Sequence, residues 1–237
     1  MKKYIIKNIE RPDPRIIGDF KRFDVSTVYE AQGKRGLMNY ELKPVIPGAS
    51  ICGPAVTVVC QAGDNLMIHA AIEVCQPGDI LVITTIGESI SGMIGELIVT
   101  ALIKKGVQGV IISAGIRDAA QIRQLGFPIW SKAIYSEGTT KVKAGWVNAP
   151  AICGGIEVKP GDLIMADDDG VVLVKKDEVE EVYHRADKRV LKEEGTKKKI
   201  ANGELSLDFY NLRETLAKEN VMYYDNKEEM EKGYQKV

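Results

Sequence analysis

Histidine is nearly absent from this chain: among 237 residues only His69 and His184 occur. Cysteine is sparse too, and Cys52, Cys60, Cys75 and Cys153 lie in or beside apolar segments with no CxxC spacing. With no His or Cys at ligand spacing, a zinc site is not expected. The cysteines read instead as reduced, mostly buried thiols of a cytoplasmic protein. An excess of charge of one sign is also missing. Lysine and arginine number 32 against 33 acidic residues, a formal net charge of −1, so no global basic field is available to hold a polyanion and nucleic acid is not expected as a partner. No apolar run approaches a membrane span. Near the amino terminus, Lys7, Glu10 and Arg11 interrupt the apolar residues before a signal-peptide core can form. No Ser/Gly-rich or Pro-rich linker divides the chain, and its 45% hydrophobic content supports one sizeable core.

What is present centres on residues 92–118, GMIGELIVTALIKKGVQGVIISAGIRD. The apolar periodicity predicts a helix over 93–102, closed by Lys104, Lys105 and the stop signal Gly106. VQGVIIS has the β-branched character and length of a strand. After AGI the chain presents Arg117 and Asp118 where another helix begins. Residues just past the carboxyl end of a strand in an open α/β sheet are where ligands collect, which makes Arg117-Asp118 a candidate functional pair. The plainer alternative is a local salt bridge capping a helix.

The flanks read as an α/β protein. Residues 1–23 are mixed and Pro-punctuated, an arm on the body or on a neighbouring subunit. Asp24, Ser26 and Thr27 offer N-caps for a short helix that Gly33 stops. Lys34 and Arg35 then form a basic turn, either solvated or part of a carboxylate-binding rim. Residues 51–60 form a strand with Pro54 near its start. Asn65 is placed to cap the helix LMIHAAIEV, whose His69 reads better as a hydrogen-bonded core or interface histidine than as a catalytic group. Gln76-Pro77-Gly78-Asp79 and Lys159-Pro160-Gly161-Asp162 are turns into strands. Asp167-Asp168-Asp169-Gly170 reads as a hairpin turn, because the later oxygen ligands of a calcium loop do not follow. From residue 178 a charged, amphipathic helix begins, and residues 226–237 read as frayed. The expected organisation is an arm at 1–23, an α/β catalytic domain at 24–177 and a C-terminal helical extension at 178–237.

Gly95-Glu96-Leu97, followed by nineteen residues and Arg117-Asp118, resembles the metal-dependent 4-hydroxy-4-methyl-2-oxoglutarate / 4-carboxy-4-hydroxy-2-oxoadipate aldolases, whose pattern is an acid, twenty residues, then Arg-Asp. EAQGKRGLM from Glu30, GPAVTVVCQAGDNLMIHAAIE from Gly53, CQPGDILV from Cys75, FPIWSKAI from Phe127 and PGDLIMADDDGVVLV from Pro160 extend the resemblance over most of the chain. It implies a swivelling β/β/α fold and a homotrimer or homohexamer with sites between subunits. It also implies Asp118 as direct ligand of Mg²⁺ or Mn²⁺, Glu96 acting through metal-bound waters, and Arg117 on the pyruvate enolate. A carboxylate from the Glu193-Glu194 region would enter from an adjacent subunit.

The residues themselves are compatible with that chemistry. Hard oxygen donors select magnesium or manganese over zinc, and the backbone N–H groups of Leu97 and Ile98 at a helix start can cradle a substrate carboxylate, with Gly95 letting that backbone approach. Two positions depart from the pattern. Glu96 stands where aspartate is usual, and Gln121, which cannot carry charge, replaces an acid three residues after Asp118. Two further activities compete: oxaloacetate decarboxylation, which passes through the same enolate, and non-catalytic binding to a ribonuclease, the role of regulators with this fold. A methyltransferase role lacks a GxGxxG loop.

Overall fold

The computed structural model describes residues 2–234. The arm is built into the body. Its β1 (Tyr4–Ile5) pairs in parallel with Trp146–Val147, and α1 (Pro14–Phe20) starts on Asp13, whose carboxylate accepts the Arg15 N–H. Asp24 caps α2 (Val25–Ala31) by accepting the Thr27 N–H at 2.6 Å. There follow β2 (Lys43–Pro44), β3 (Ile51–Gln61), α3 (Leu66–Val74), β4 (Ile80–Ile86), β5 (Gly92–Ile94), α4 (Glu96–Lys104), β6 (Gly109–Ile116), α5 (Ala119–Leu125) and β7 (Ile129–Ile134). The second half adds β8 (Trp146–Val147), β9 (Ala151–Cys153), β10 (Ile156–Val158), β11 (Leu163–Asp167), β12 (Gly170–Val174) and α6 (Val179–Ala201).

The helix expected over 93–102 begins later. Gly92 and Ile94 pair with Gly115 and Ile116 of β6, so Met93 and Ile94 are extended and α4 opens only after Gly95. Asn65 does not cap α3 with its side chain; Asp64 Oδ1 accepts the Leu66 N–H at 3.0 Å instead.

Strands β3, β4, β6 and β7 run parallel in that order. Their sequences are continuous apolar runs because both faces are covered, and alternate residues feed two cores. Val56, Leu81, Ile83, Val110 and Ile112 meet Ile68 of α3, Val99 of α4 and Ile122 of α5. Ala55, Ile80, Val82, Ile111 and Trp130 meet Ile164, Val171 and Leu173 of the β11–β12 hairpin. Long β3 joins the two sheets: Ile51 to Pro54 pair antiparallel with β11, and Ala55 onward pairs with β4. Helices, parallel sheet and second β layer form the β/β/α arrangement. The Asp-rich segment is the expected hairpin, with Asp167 paired to Gly170. Two of its three carboxylates accept from backbone N–H groups, Asp167 from Val25 and Asp168 from Gly48. All four cysteines are buried and free, and burial pushes each thiol up to about 12. No helix among the described residues is long and apolar enough to cross a membrane.

The arm is anchored by one pair. Arg11 donates from Nε and Nη2 to both oxygens of the fully buried Asp79 at 2.7 and 2.8 Å, and Asp79 also accepts the Gln76 N–H. Removing one partner leaves a buried charge uncompensated. Arg11→Ala is expected to lower the unfolding free energy by about 3 kcal/mol, measured by urea denaturation.

By contacts the chain divides into two compact units, Met1–Arg189 and Val190–Val237, the break falling inside α6. In the first unit α6 buries Val179, Val182 and Ala186. The second holds the rest of α6, α7 (Ser206–Phe209), α8 (Leu212–Lys218) and α9 (Lys227–Tyr234). Residues 227–234, expected to be frayed, are helical, with Asn226 Oδ1 accepting the Glu229 N–H at 2.9 Å. Residues 235–237, placed in the same frayed end, lie outside the described residues.

Candidate functional site

Loops leaving the carboxyl ends of three parallel strands, together with the β5–α4 junction, enclose one cavity of about 110 Å³. It is lined by Asn65, His69, Gly92, Met93, Gly95, Leu97, Ile98, Arg117, Asp118 and Lys141. Past β6, the Arg117 N–H donates to Ile94 O at 2.8 Å, which turns the chain toward α4. Asp118 then adopts a left-handed conformation, φ 56°, uncommon for any residue but glycine and more tolerated by Asp and Asn. Its Oδ2 accepts the Glu96 N–H at 3.1 Å and lies 3.9 Å from Arg117 Nε. Gly95 makes this approach possible: a Cβ there would stand 2.3 Å from Asp118 Oδ2.

Asp118 thus serves one of the donors that the first turn of a helix leaves without internal acceptors. Leu97 and Ile98, in the same turn, line the cavity, at the amino terminus of α4 where the helix dipole and free N–H groups favour an anion.

The loop past β7 frames the other part of the wall. Tyr135 N–H donates to Ile116 O and Gly92 N–H to Glu137 O, both at 2.8 Å, while Ser91 Oγ donates to the Glu137 carboxylate. Farther on, the chain is clamped by Asp64, in the loop past β3. Asp64 is 1% exposed, and its Oδ2 accepts from Thr140 Oγ1 at 2.6 Å, Val142 N–H at 2.7 Å and Lys143 N–H at 3.1 Å. Burial pushes its carboxyl up, yet the hydrogen bonds from Thr140, Val142, Leu66 and Lys143 outweigh burial and hold it at about 2.

A carboxyl depressed below its unfolded value, about 3.9, contributes stability that is complete above that pH and is lost as pH falls toward 2. Asp64→Asn is therefore expected to destabilise the protein by about 2–4 kcal/mol at pH 7. The gap between wild type and variant narrows as denaturant unfolding is repeated between pH 4 and pH 2.

Asn65 Nδ2 donates to Met93 O at 3.0 Å, whereas its Oδ1 is buried without a hydrogen-bond partner among the described residues. One turn further along α3, His69 is exposed and lines the cavity, so of the core and interface readings the core one does not hold. Burial and then the Lys141 charge lower its pKa.

The donor set fits a hydrated hard cation. Among the described residues no group of three His, Cys, Asp or Glu could hold a metal by protein ligands alone. A magnesium ion needs only one or two carboxylates and keeps several waters. Asp118 can provide that carboxylate, and the unpartnered Asn65 Oδ1 in the same wall suits a bound water or ligand donor.

The structure therefore brings together Gly95, Leu97, Ile98, Arg117 and Asp118. The Glu96 side chain is exposed and does not line the cavity; its backbone N–H is what Asp118 engages. Gln121 is exposed on α5 and also lies outside the lining. Glu193 and Glu194 belong to the second unit. Asn65, His69 and Lys141 were missed, although two of them carry a readable signal. GDN at 63–65 follows the carboxyl end of β3 as Arg117-Asp118 follows that of β6, and His69 stands four residues, one helical turn, from Asn65.

Among known proteins, the chain is 28% identical over 194 residues to a Halalkalibacterium halodurans protein provisionally named as a 4-hydroxy-4-methyl-2-oxoglutarate aldolase, covering 82% of this chain and 92% of that one. Streptomyces coelicolor RraAS2, described as an unusual member of the RNase ES inhibitor RraA family, superposes with a TM-score of 0.71 at 29% identity, covering 80% of this chain and 99% of its own. An uncharacterised Pseudomonas syringae protein shares the fold, with a TM-score of 0.74 at 21% identity over 83% of this chain and 97% of its own. Residues 24–173 match the RraA-like family, Aldolase/RraA, and the chain belongs to that family.

Proposed function

We propose that the protein is a divalent-metal-dependent, class II aldolase. It cleaves a 4-hydroxy-2-oxo acid such as 4-carboxy-4-hydroxy-2-oxoadipate to pyruvate and a second oxo acid, with oxaloacetate decarboxylation as a related activity. The observation that supports this best is the seating of Arg117-Asp118 against Gly95 and the opening of α4, within one cavity. The N–H groups of Leu97 and Ile98 bind the C1 carboxylate. As the C3–C4 bond breaks, the C4 hydroxyl becomes a carbonyl and its proton passes to water. The electron pair remains on the three-carbon fragment as the pyruvate enolate, which takes a proton at C3. Arg117, a permanent cation, stabilises the negative charge developing on the 2-oxo oxygen. Mg²⁺ or Mn²⁺ held at Asp118 would supply Lewis-acid polarisation of the 2-oxo group. Glu96 acts through water, and Glu193 enters from a neighbouring chain of a cytoplasmic homotrimer or homohexamer.

A second reading comes from the likeness to RraAS2: a non-catalytic regulator that binds a ribonuclease. A cavity that retains both Arg117 and Asp118 beside a helix amino terminus weighs against a purely binding role. The test is pyruvate release by the purified protein from 4-carboxy-4-hydroxy-2-oxoadipate and from oxaloacetate, with magnesium or manganese and with chelator. Metal-dependent release supports the aldolase. No release from either substrate with either metal turns the case toward the regulator.

A further inference from the structure

The cavity wall carries more positive charge than the enolate chemistry uses. Among the described residues that line it, Asp118 is the one carboxylate, already engaged by the Glu96 N–H and close to Arg117. Lys141 lies in the same wall, and no carboxylate among the described residues pairs with it.

Its position is built rather than incidental. The backbone on either side is tied down, Thr140 through its N–H to Gly63 O at 2.9 Å and its O to the Asn65 N–H at 3.0 Å, and Val142 through its N–H to Asp64 at 2.7 Å. A buried carboxylate thus spends its hydrogen bonds fixing the stretch on which an unpaired lysine stands. His69, a neighbouring donor, has no acidic partner among the described residues either, and the two groups are near enough for the lysine charge to act on the imidazole. A lysine charge without a carboxylate partner among the described residues, beside a histidine donor in the cavity wall, suits an anion.

The α4 amino terminus and Arg117 account for the pyruvyl half of a 2-oxo acid. We infer that Lys141, held on the Asp64 clamp beside His69, is the residue that selects a substrate bearing a second carboxylate beyond the C3–C4 bond. This rests on the aldolase reading and adds to it a specificity residue.

The test compares wild type, Lys141→Gln and Lys141→Arg, each with magnesium, on two reactions. One is pyruvate release from 4-carboxy-4-hydroxy-2-oxoadipate. The other is exchange of the methyl protons of pyruvate with deuterated solvent, which needs the enolate site but offers no second carboxylate. In Lys141→Gln the KM for the larger acid is expected to rise about tenfold relative to the KM for pyruvate, the size of one charge-assisted hydrogen bond at a partly solvated site. Lys141→Arg recovers most of that ratio. A parallel rise in both KM values, or no rise in either, overturns the assignment while leaving the aldolase reading intact. Absence of both reactions in the wild type defeats the aldolase reading and this inference with it.

Discussion

Replacing Asp118 with asparagine is expected to abolish metal-dependent pyruvate release, by about 10³-fold or more, because the change removes several kcal/mol of transition-state stabilisation. Asparagine is the informative substitution. Asp118 sits at φ 56°, a conformation that asparagine tolerates and alanine does not, and an amide oxygen can still accept the Glu96 N–H. Shape and local hydrogen bonding survive while the hard anionic ligand disappears. The Asp118 side chain is 41% exposed, so thermal unfolding should move little. Loss of activity at an unchanged melting temperature, in a direct pyruvate assay, assigns the carboxylate to chemistry. Retained activity would reduce Arg117-Asp118 to a structural ion pair.

The second large effect is at Gly95. Its backbone, φ −134° and ψ −175°, is ordinary extended chain, so alanine meets no conformational penalty there. The cost lies in what the new Cβ touches, Asp118 Oδ2 at 2.3 Å and Arg117 Cγ at 3.3 Å. Both are side-chain atoms that can swing aside, so Gly95→Ala should fold with a stability change of about 1 kcal/mol or less. The atoms that swing aside are, however, the functional ones. A displacement of this order costs about 10²-fold in kcat/KM. Gly115→Ala is the contrasting control: its Cβ would lie 1.9 Å from the backbone oxygen of Ile90, a clash no rotamer relieves, and it should lose folded protein rather than activity alone. If Gly95→Ala kept full activity, the approach of Asp118 to α4 would have no catalytic consequence.

Much of the fold was legible because parallel strands buried on both faces show themselves as unbroken apolar runs, as at residues 80–83 and 109–112. Met93 and Ile94 misled for a related reason. Their apolar character continues smoothly into α4, and only pairing with Gly115 and Ile116 of β6 makes them a strand, a long-range choice that local periodicity does not carry. The site was half legible. Arg117-Asp118 stands at a strand end that sequence can locate, and Gly95, Leu97 and Ile98 follow from the helix start. Lys141 is different. It belongs to an irregular loop seven residues past β7 and reaches the cavity only because Asp64, 77 positions earlier, accepts hydrogen bonds on both sides of it. For His69, the lack of a second histidine or cysteine at ligand spacing favoured a core or interface reading over a site role, whereas the side chain lines the cavity.

The most direct test of the central claim bypasses the identity of the full substrate. Purified protein is incubated with pyruvate in deuterated water, with magnesium or manganese and then with chelator, and the methyl proton signal is followed by nuclear magnetic resonance. Exchange that requires the metal and disappears in Asp118→Asn is the predicted result, since it reports enolate formation at Arg117 and Asp118. A methyl signal that persists unchanged with either metal would contradict the aldolase account.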